Sequence, residues 1–284
     1  MDIHSKHQLQ EAVQYIREKL EGFVPQIGLI LGSGLGDMAK QVEQPVIIPY
    51  DEIPHFPVST VEGHEGQFVI GTLEGKQVIA MQGRFHYYEG YSMKKVVLPV
   101  YVMKGLGVQA MVITNAAGGM NRAFQAGDLM LISDHLNLTG DNPLIGVNDP
   151  GLGVRFPDMS ECYSHEYRTM AKDIAQAMQR AGSVIRLQEG VYSGISGPSY
   201  LPPSELTMLA GLGGDAVGMS TVGEVIAARH CGVKVLGISC ITDMAIGEEL
   251  EPLTHEQVVE VANRTKPLFI ELVRTFVRNV TLAS

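Results

Sequence analysis

Three features of the 284-residue chain predict an α/β fold. Short apolar runs of strand length alternate with stretches of helical periodicity, and each run stops at small or polar residues. No repeat, linker or low-complexity tract interrupts the alternation, so one domain over residues 1–284 is expected. Leu9, Val13, Ile16 and Leu20 recur at spacings of three and four, which predicts an amphipathic first helix ending before Pro25. The run IGLIL (27–31) is the first strand. Further strands are expected at FVIGTL (68–73), QVIAMQG (77–83), AMVITN (110–115), DLMLIS (128–133), GVYSGIS (190–196), DAVGMS (215–220) and VKVLGIS (233–239). Intervening helices are expected over 164–181, 203–211 and 221–231, with a long one at the C-terminus. Thr254 followed by Gln257 forms a capping-box pattern, which fixes His255 in the first turn of that last helix.

Charge narrows the partners. The formal net charge is −10 and no Lys/Arg cluster is present, which argues against a nucleic acid or an anionic membrane and leaves small molecules. The N-terminal MDIHSKHQLQEAV lacks the apolar core of a signal peptide, and no apolar run approaches the ~18 residues of a membrane span, so a cytoplasmic protein is expected. Cys162, Cys231 and Cys240 are odd in number and form no C-x-x-C pair, which makes them buried thiols and not zinc ligands or redox partners.

Several strand ends carry groups suited to a ligand, and the crevice beyond the carboxyl ends of strands is where α/β sheets bind. GSGLG (32–36) offers backbone N–H groups and the Ser33 hydroxyl to an anion. It is not a dinucleotide fingerprint, because Asp37 replaces the third glycine and no acidic residue closes a second strand about 20 residues on. In GRFHYYEG (83–90), Arg84 and His86 lie two apart and in extended backbone point to one side, a cation and an imidazole aimed at one place. TNAAGG (114–119) and MSTVGE (219–224) again lead from a strand into small residues with free backbone donors. GISCITD (237–243) ends an apolar strand on Asp243, a carboxylate that is costly in a core unless solvated, paired or used.

Ser33, Arg84 with His86, Ala116 and Ser220 thus follow four strands in the manner of a shared oxyanion cage. With these motifs in order, together with FPVSTVEGHEG, RFPDMS, GPSY, GDAVGMSTVGEVIAARH and LTHEQV, the sequence resembles the trimeric purine nucleoside phosphorylases from about residue 27 to 258. The resemblance implies a single α/β domain around a mixed, partly barrel-like sheet, assembled as a homotrimer or a dimer of trimers. It implies a phosphate site from Ser33, His64, Arg84, His86, the Ala116 backbone and Ser220. It assigns Tyr88, Met219 and His255 to the ribose, with Phe156 lent by a neighbouring subunit, and Tyr200, Leu201 and Asp243 to the base. No metal or cofactor is implied; inorganic phosphate is a co-substrate and the partner is a purine nucleoside.

The expected chemistry is phosphorolysis, in which a bound phosphate attacks the anomeric carbon beside a developing sugar cation. The leaving purine needs a proton or strong hydrogen bond at N7, a role that falls to Asp243, while His86 serves the phosphate side. In the resembled family the position of Asp243 is asparagine for 6-oxopurines, and a glutamate that accepts from N1–H stands where this chain has Leu201. Aspartate accepts from a 6-amino group and, protonated, donates to N7; leucine leaves a 6-oxopurine N1–H unpaired. Base preference shifted toward, or broadened to, 6-aminopurines such as adenosine is therefore expected. The same two departures also resemble the methylthioadenosine phosphorylases, which are the main alternative, although His255 favours a 5′-hydroxyl. An ordinary inosine/guanosine phosphorylase is a further alternative. A nucleoside hydrolase is disfavoured by the lack of an N-terminal Asp cluster, and a non-catalytic binder by the retention of Arg84 and His86.

Overall fold

The computed structural model describes residues 6–32, 34–58, 60 and 65–282. Its helices are α1 (Lys6–Lys19), α2 (Met93–Leu106), α3 (His165–Arg180), α4 (Pro203–Gly211), α5 (Val222–His230) and α6 (His255–Asn279). Its strands are β1 (Ile27–Leu31), β2 (Glu43–Pro49), β3 (Gln67–Leu73), β4 (Lys76–Gln82), β5 (Ala110–Gly119), β6 (Leu129–Leu138), β7 (Leu187–Ile195), β8 (Ala216–Gly218) and β9 (Lys234–Met244).

The strands form one mixed sheet in the order β2-β3-β4-β1-β5-β8-β7-β6-β9, and a further pairing of β5 with β9 closes the last five into a ring. The fold is therefore α/β around a partly barrel-like sheet, with β2-β3-β4-β1 as an open wing. Strand β5 belongs to both parts: it pairs in parallel with β1 on one side and with β9 on the other. Parallel strands covered on both faces are apolar throughout, and all five residues of IGLIL are buried. Layers of apolar side chains lie on the two sides of the sheet, one under α1, α2 and α5, the other under α3 and α6.

The anticipated strands and helices are present, and the capping box forms: the Thr254 hydroxyl accepts from Gln257 N while the Gln257 side chain accepts from Thr254 N. Strands β5, β6 and β9 run four or five residues past their expected ends, and three further features differ from the sequence reading. Helix α2 was not anticipated, because ten of its residues are buried around its whole circumference and the run VVLPVYVM has no polar face to mark a period. Strand β2 was not anticipated either; it carries Pro45 and Pro49, tolerated because it is an edge strand, and its second residue, Gln44, has φ 49°. The expected strand over 215–220 shortens to Ala216–Gly218, since the chain turns sharply at Thr221. Among the described residues no helix is long and apolar enough to cross a membrane.

Candidate active site

The ends of β4, β5, β7, β8 and β9, together with the segment leading into α6, enclose a cleft of about 440 Å³. Of the sequence-predicted residues, Arg84, His86, Tyr88, Ala116, Tyr200, Leu201, Met219, Ser220, Asp243 and His255 line it together. Ser33 and His64 lie outside the described residues. Phe156 does not line the cleft of its own chain; it is 86% exposed on the long segment between β6 and α3, with the Arg155 guanidinium over its ring.

At one end of the cleft lie the predicted cation and imidazole, Arg84 and His86. Strand-like alternation after β4 sends Phe85 inward, onto Tyr50 with ring centroids 5.0 Å apart, and turns Arg84 and His86 to the cleft. Arg84 is buried, with Nε and Nη2 donating to the two oxygens of Glu224 at 3.1 and 2.6 Å. Its Nη1 donates to the Thr114 carbonyl at 2.7 Å and to the Ser220 hydroxyl at 3.3 Å. His86 caps a short turn over Tyr87–Glu89: its backbone N–H donates to Glu89 Oε1, and its Nδ1 lies 3.0 Å from the same oxygen. The imidazole stacks on Tyr88 at 4.7 Å between centroids. Burial disfavours the Glu89 carboxylate, but hydrogen bonds from His86 and Thr60 outweigh it and hold its pKa down to about 2. Tyr88 is pushed up to about 12 by burial and then by the Glu89 charge, so its phenol is neutral.

Ser220 and Thr221 connect β8 to α5. Thr221 adopts φ 74°, ψ −51°, a region that a β-branched residue enters only when the surroundings enforce it. The turn closes with Val222 N donating to Ser220 O at 2.8 Å, and the Asn115 amide donates to the Thr221 hydroxyl at 2.8 Å. The Ser220 backbone N–H donates to the Tyr192 hydroxyl. Both neighbours of the turn are thereby tied to the sheet.

Asp243 answers for the opposite end. Pairing of β5 with β9 runs Ala117 with Ile241 and then Gly118 with Asp243, which leaves Thr242 as the extra residue of a β-bulge. Regular alternation would send consecutive residues to opposite faces; the bulge lets Thr242 and Asp243 both line the cleft. Thr242 Oγ1 donates to Asp243 Oδ1 at 2.8 Å. A Cβ at residue 118 would stand 3.1 Å from Asp243 Oδ2 and 3.0 Å from Ala245 Cβ, so glycine leaves the carboxyl its room. Burial raises the Asp243 pKa, only partly opposed by the Thr242 hydrogen bond. Much of the remaining wall is hydrocarbon: Ile195, Leu201, Leu206, Val217 and Ala245 line the cleft and share one apolar cluster, while Tyr200 and Glu251 line it as well. His255, the first residue of α6, and Met219 complete the rim.

Sequence reasoning did not find Asn115, Thr242, Glu89 or Glu224. A signal existed for Glu224, a carboxylate in the otherwise apolar VGEVIAA; for the others only the fold shows their place.

A cage of donors at one end, a half-buried carboxyl with a largely hydrocarbon wall at the other, and a volume suited to a small organic ligand agree with the relatives of this chain. The Phosphorylase superfamily profile matches residues 26–278. Purine nucleoside phosphorylase 1 of Geobacillus stearothermophilus is 57% identical over 272 residues, covering 96% of this chain and 97% of that protein. The chain belongs to the purine nucleoside phosphorylases of this superfamily. Solved members share the fold. Isoform 2 of the Schistosoma mansoni enzyme, in complex with cytosine and ribose-1-phosphate, matches with TM-score 0.92 and 42% identity over 98% of each chain. An S. mansoni purine nucleoside phosphorylase in complex with adenosine matches with TM-score 0.91 and 38% identity over the whole of both chains.

Proposed function

We propose that this phosphorylase cleaves purine ribonucleosides and 2′-deoxyribonucleosides with inorganic phosphate, and that its base preference is shifted toward, or broadened to, 6-aminopurines such as adenosine. The observation that carries the base preference is Asp243, facing the cleft with a raised pKa across from a hydrocarbon wall that includes Leu201. Burial favours the acid form of the Asp243 carboxyl, and in that form it donates to purine N7 as the bond to the sugar breaks, while its other oxygen accepts from the 6-amino group. The apolar side chains of that wall, Leu201 among them, offer no acceptor to the N1–H of a 6-oxopurine, so against them an adenine edge loses less.

At the other end the phosphate is held by Arg84, His86, the Ala116 backbone and Ser220, with Ser33 and His64 added by the sequence resemblance. Held in this cradle, its oxygen approaches the anomeric carbon, and its negative charge stabilises the oxocarbenium-like sugar. Tyr88, Met219 and His255 hold the ribose, and Tyr200 lies against the base. No cofactor is proposed beyond phosphate as co-substrate.

The same reading makes the working enzyme a homotrimer or a dimer of trimers. Ile145, Val147, Val154 and Phe156 are 63, 90, 64 and 86% exposed within twelve residues, an apolar stretch that a neighbouring copy would cover while Phe156 reaches its sugar site. Cytoplasmic residence fits the three cysteines, all buried and unpaired. The test is a substrate panel of adenosine, inosine, guanosine, xanthosine, methylthioadenosine and cytidine, each with and without phosphate. Cleavage of adenosine that needs phosphate supports the reading. Cleavage in phosphate-free buffer would make the protein a hydrolase, and methylthioadenosine as the best substrate would move the preference to the 5′-thio class.

A further inference from the structure

We propose that Glu224 is the positioning residue of the phosphate site: it acts on phosphate through Arg84 and touches no substrate itself. The inference rests on Arg84 being the phosphate anchor, and adds what makes that anchor work. Helix α5 is buried along most of its length, with Val222, Val225, Ile226, Ala227 and Ala228 apolar as such a helix requires. Glu224 interrupts them in the first turn and is itself 3% exposed. A carboxylate in that position is retained only if something uses it.

The use is visible in the geometry. Glu224 is absent from the cleft lining, whereas its partner Arg84 is part of it. Its two oxygens take Nε and Nη2 side by side, a fork-on-fork contact that fixes the plane of the guanidinium as well as its distance. The third nitrogen is tied to the Thr114 carbonyl on β5 and to Ser220. Arg84 is thus held by two segments far from it in sequence, Thr114 on β5 and the Ser220–Glu224 turn into α5, and its orientation toward the cleft is set before any anion arrives. An arginine on a flexible stem would have to be ordered by each phosphate that bound; this one is ordered beforehand. The Asn115 amide donates to the Thr221 hydroxyl in the same turn, which ties the start of α5 to β5.

Glutamine at position 224 keeps the size of the side chain but faces one Arg84 N–H with another N–H, so one arm of the fork opens. In Glu224→Gln the KM for phosphate should rise roughly 10- to 100-fold, the range expected when an anchoring charge is misplaced by about 1 Å. The KM for nucleoside should stay within about twofold, since no ribose or base contact is altered. Three variants decide the matter: Arg84→Gln, Glu224→Gln and the two combined, each assayed for kcat/KM in phosphate. If Glu224 works through Arg84, the double variant equals Arg84→Gln within about twofold, because the clamp has nothing left to hold. An unchanged phosphate KM in Glu224→Gln beside a raised one in Arg84→Gln overturns the proposal and leaves the phosphate reading intact. A double variant worse than Arg84→Gln by the full Glu224→Gln factor also overturns it, since Glu224 would then act independently. An unchanged phosphate KM in Arg84→Gln removes Arg84 from the site and the proposal with it. Should Glu224→Gln fail to fold with a buried guanidinium unpaired, the charge-free double variant compared with Arg84→Gln carries the same test.

Discussion

Replacing Asp243 by asparagine changes almost no volume and reverses the hydrogen-bonding character of one arm of the side chain. In adenosine phosphorolysis the variant loses the acid that donates to N7, and its amide accepts less well from the 6-amino group. In inosine phosphorolysis it gains a donor toward O6. A hydrogen bond lost from a buried site costs about 1–3 kcal/mol, or roughly 5- to 150-fold in kcat/KM. Asp243 is half-buried and already shares one oxygen with Thr242, so the lower part of that range applies. The ratio of kcat/KM for adenosine to that for inosine should fall by at least about tenfold. The assay is chromatographic separation of base from nucleoside at saturating phosphate. The pH dependence gives a second reading. Burial raises the Asp243 pKa above its ordinary 3.8, so the donating acid persists above that value and wild-type kcat/KM on adenosine falls as pH rises through the raised pKa. Asp243→Asn should lack that limb. Stability moves in the same sense: the raised pKa means the folded state holds the proton more tightly, so the group's stabilising contribution is full below 3.8 and lost as pH rises through the raised value. The asparagine variant should therefore gain in Tm relative to wild type at neutral pH and not at pH 3. A substrate ratio left where it was would mean that Asp243 does not face the base.

Leu201→Glu should restore an acceptor on the hydrocarbon wall and raise kcat/KM for inosine and guanosine relative to adenosine; an unchanged ratio would separate Leu201 from the base. Phe156→Ala should raise the KM for nucleoside while leaving the phosphate KM alone. Mixed with an Arg84→Ala variant it should recover activity if Phe156 serves a neighbouring copy, and no recovery on subunit exchange would contradict that. His255→Val should lower activity on adenosine more than on methylthioadenosine, measured as the ratio of the two kcat/KM values. Glu89, held down to about 2 mainly against burial by His86 and Thr60, contributes stability that is present above its ordinary 4.5 and is lost as pH falls from there toward 2. Glu89→Gln should flatten that part of the acid-unfolding curve, and an unaltered curve would show that the pairing does not stabilise the fold.

Elements with a one-sided buried stripe, a chemical mark at an end, or an apolar run of strand length were legible in the sequence. Strands β1, β5 and β9 are covered on both sides and read as continuous apolar runs; α1 shows its buried stripe, and α6 shows its cap at Thr254. Helix α2 is hidden because uniform burial erases the period, and β2 because prolines and a left-handed Gln44 break the strand pattern at an edge where they are tolerated. The site divides in the same way. Arg84 and His86 were legible because the alternation of an extended segment is local, with Phe85 between them turned to the core. The Arg84 and Glu224 pair spans 140 residues, and nothing local in either segment announces the other. Nor does the sequence mark the bulge at Thr242, which arises from how β9 is paired with β5.

The central claim is that a half-buried carboxyl and a largely hydrocarbon wall turn this cleft toward the 6-aminopurine. The most direct measurement is wild-type kcat/KM for adenosine and for inosine, side by side, in saturating phosphate and at a pH near 7. Adenosine at least equal to inosine is the result the account predicts; inosine preferred by more than about tenfold would contradict it.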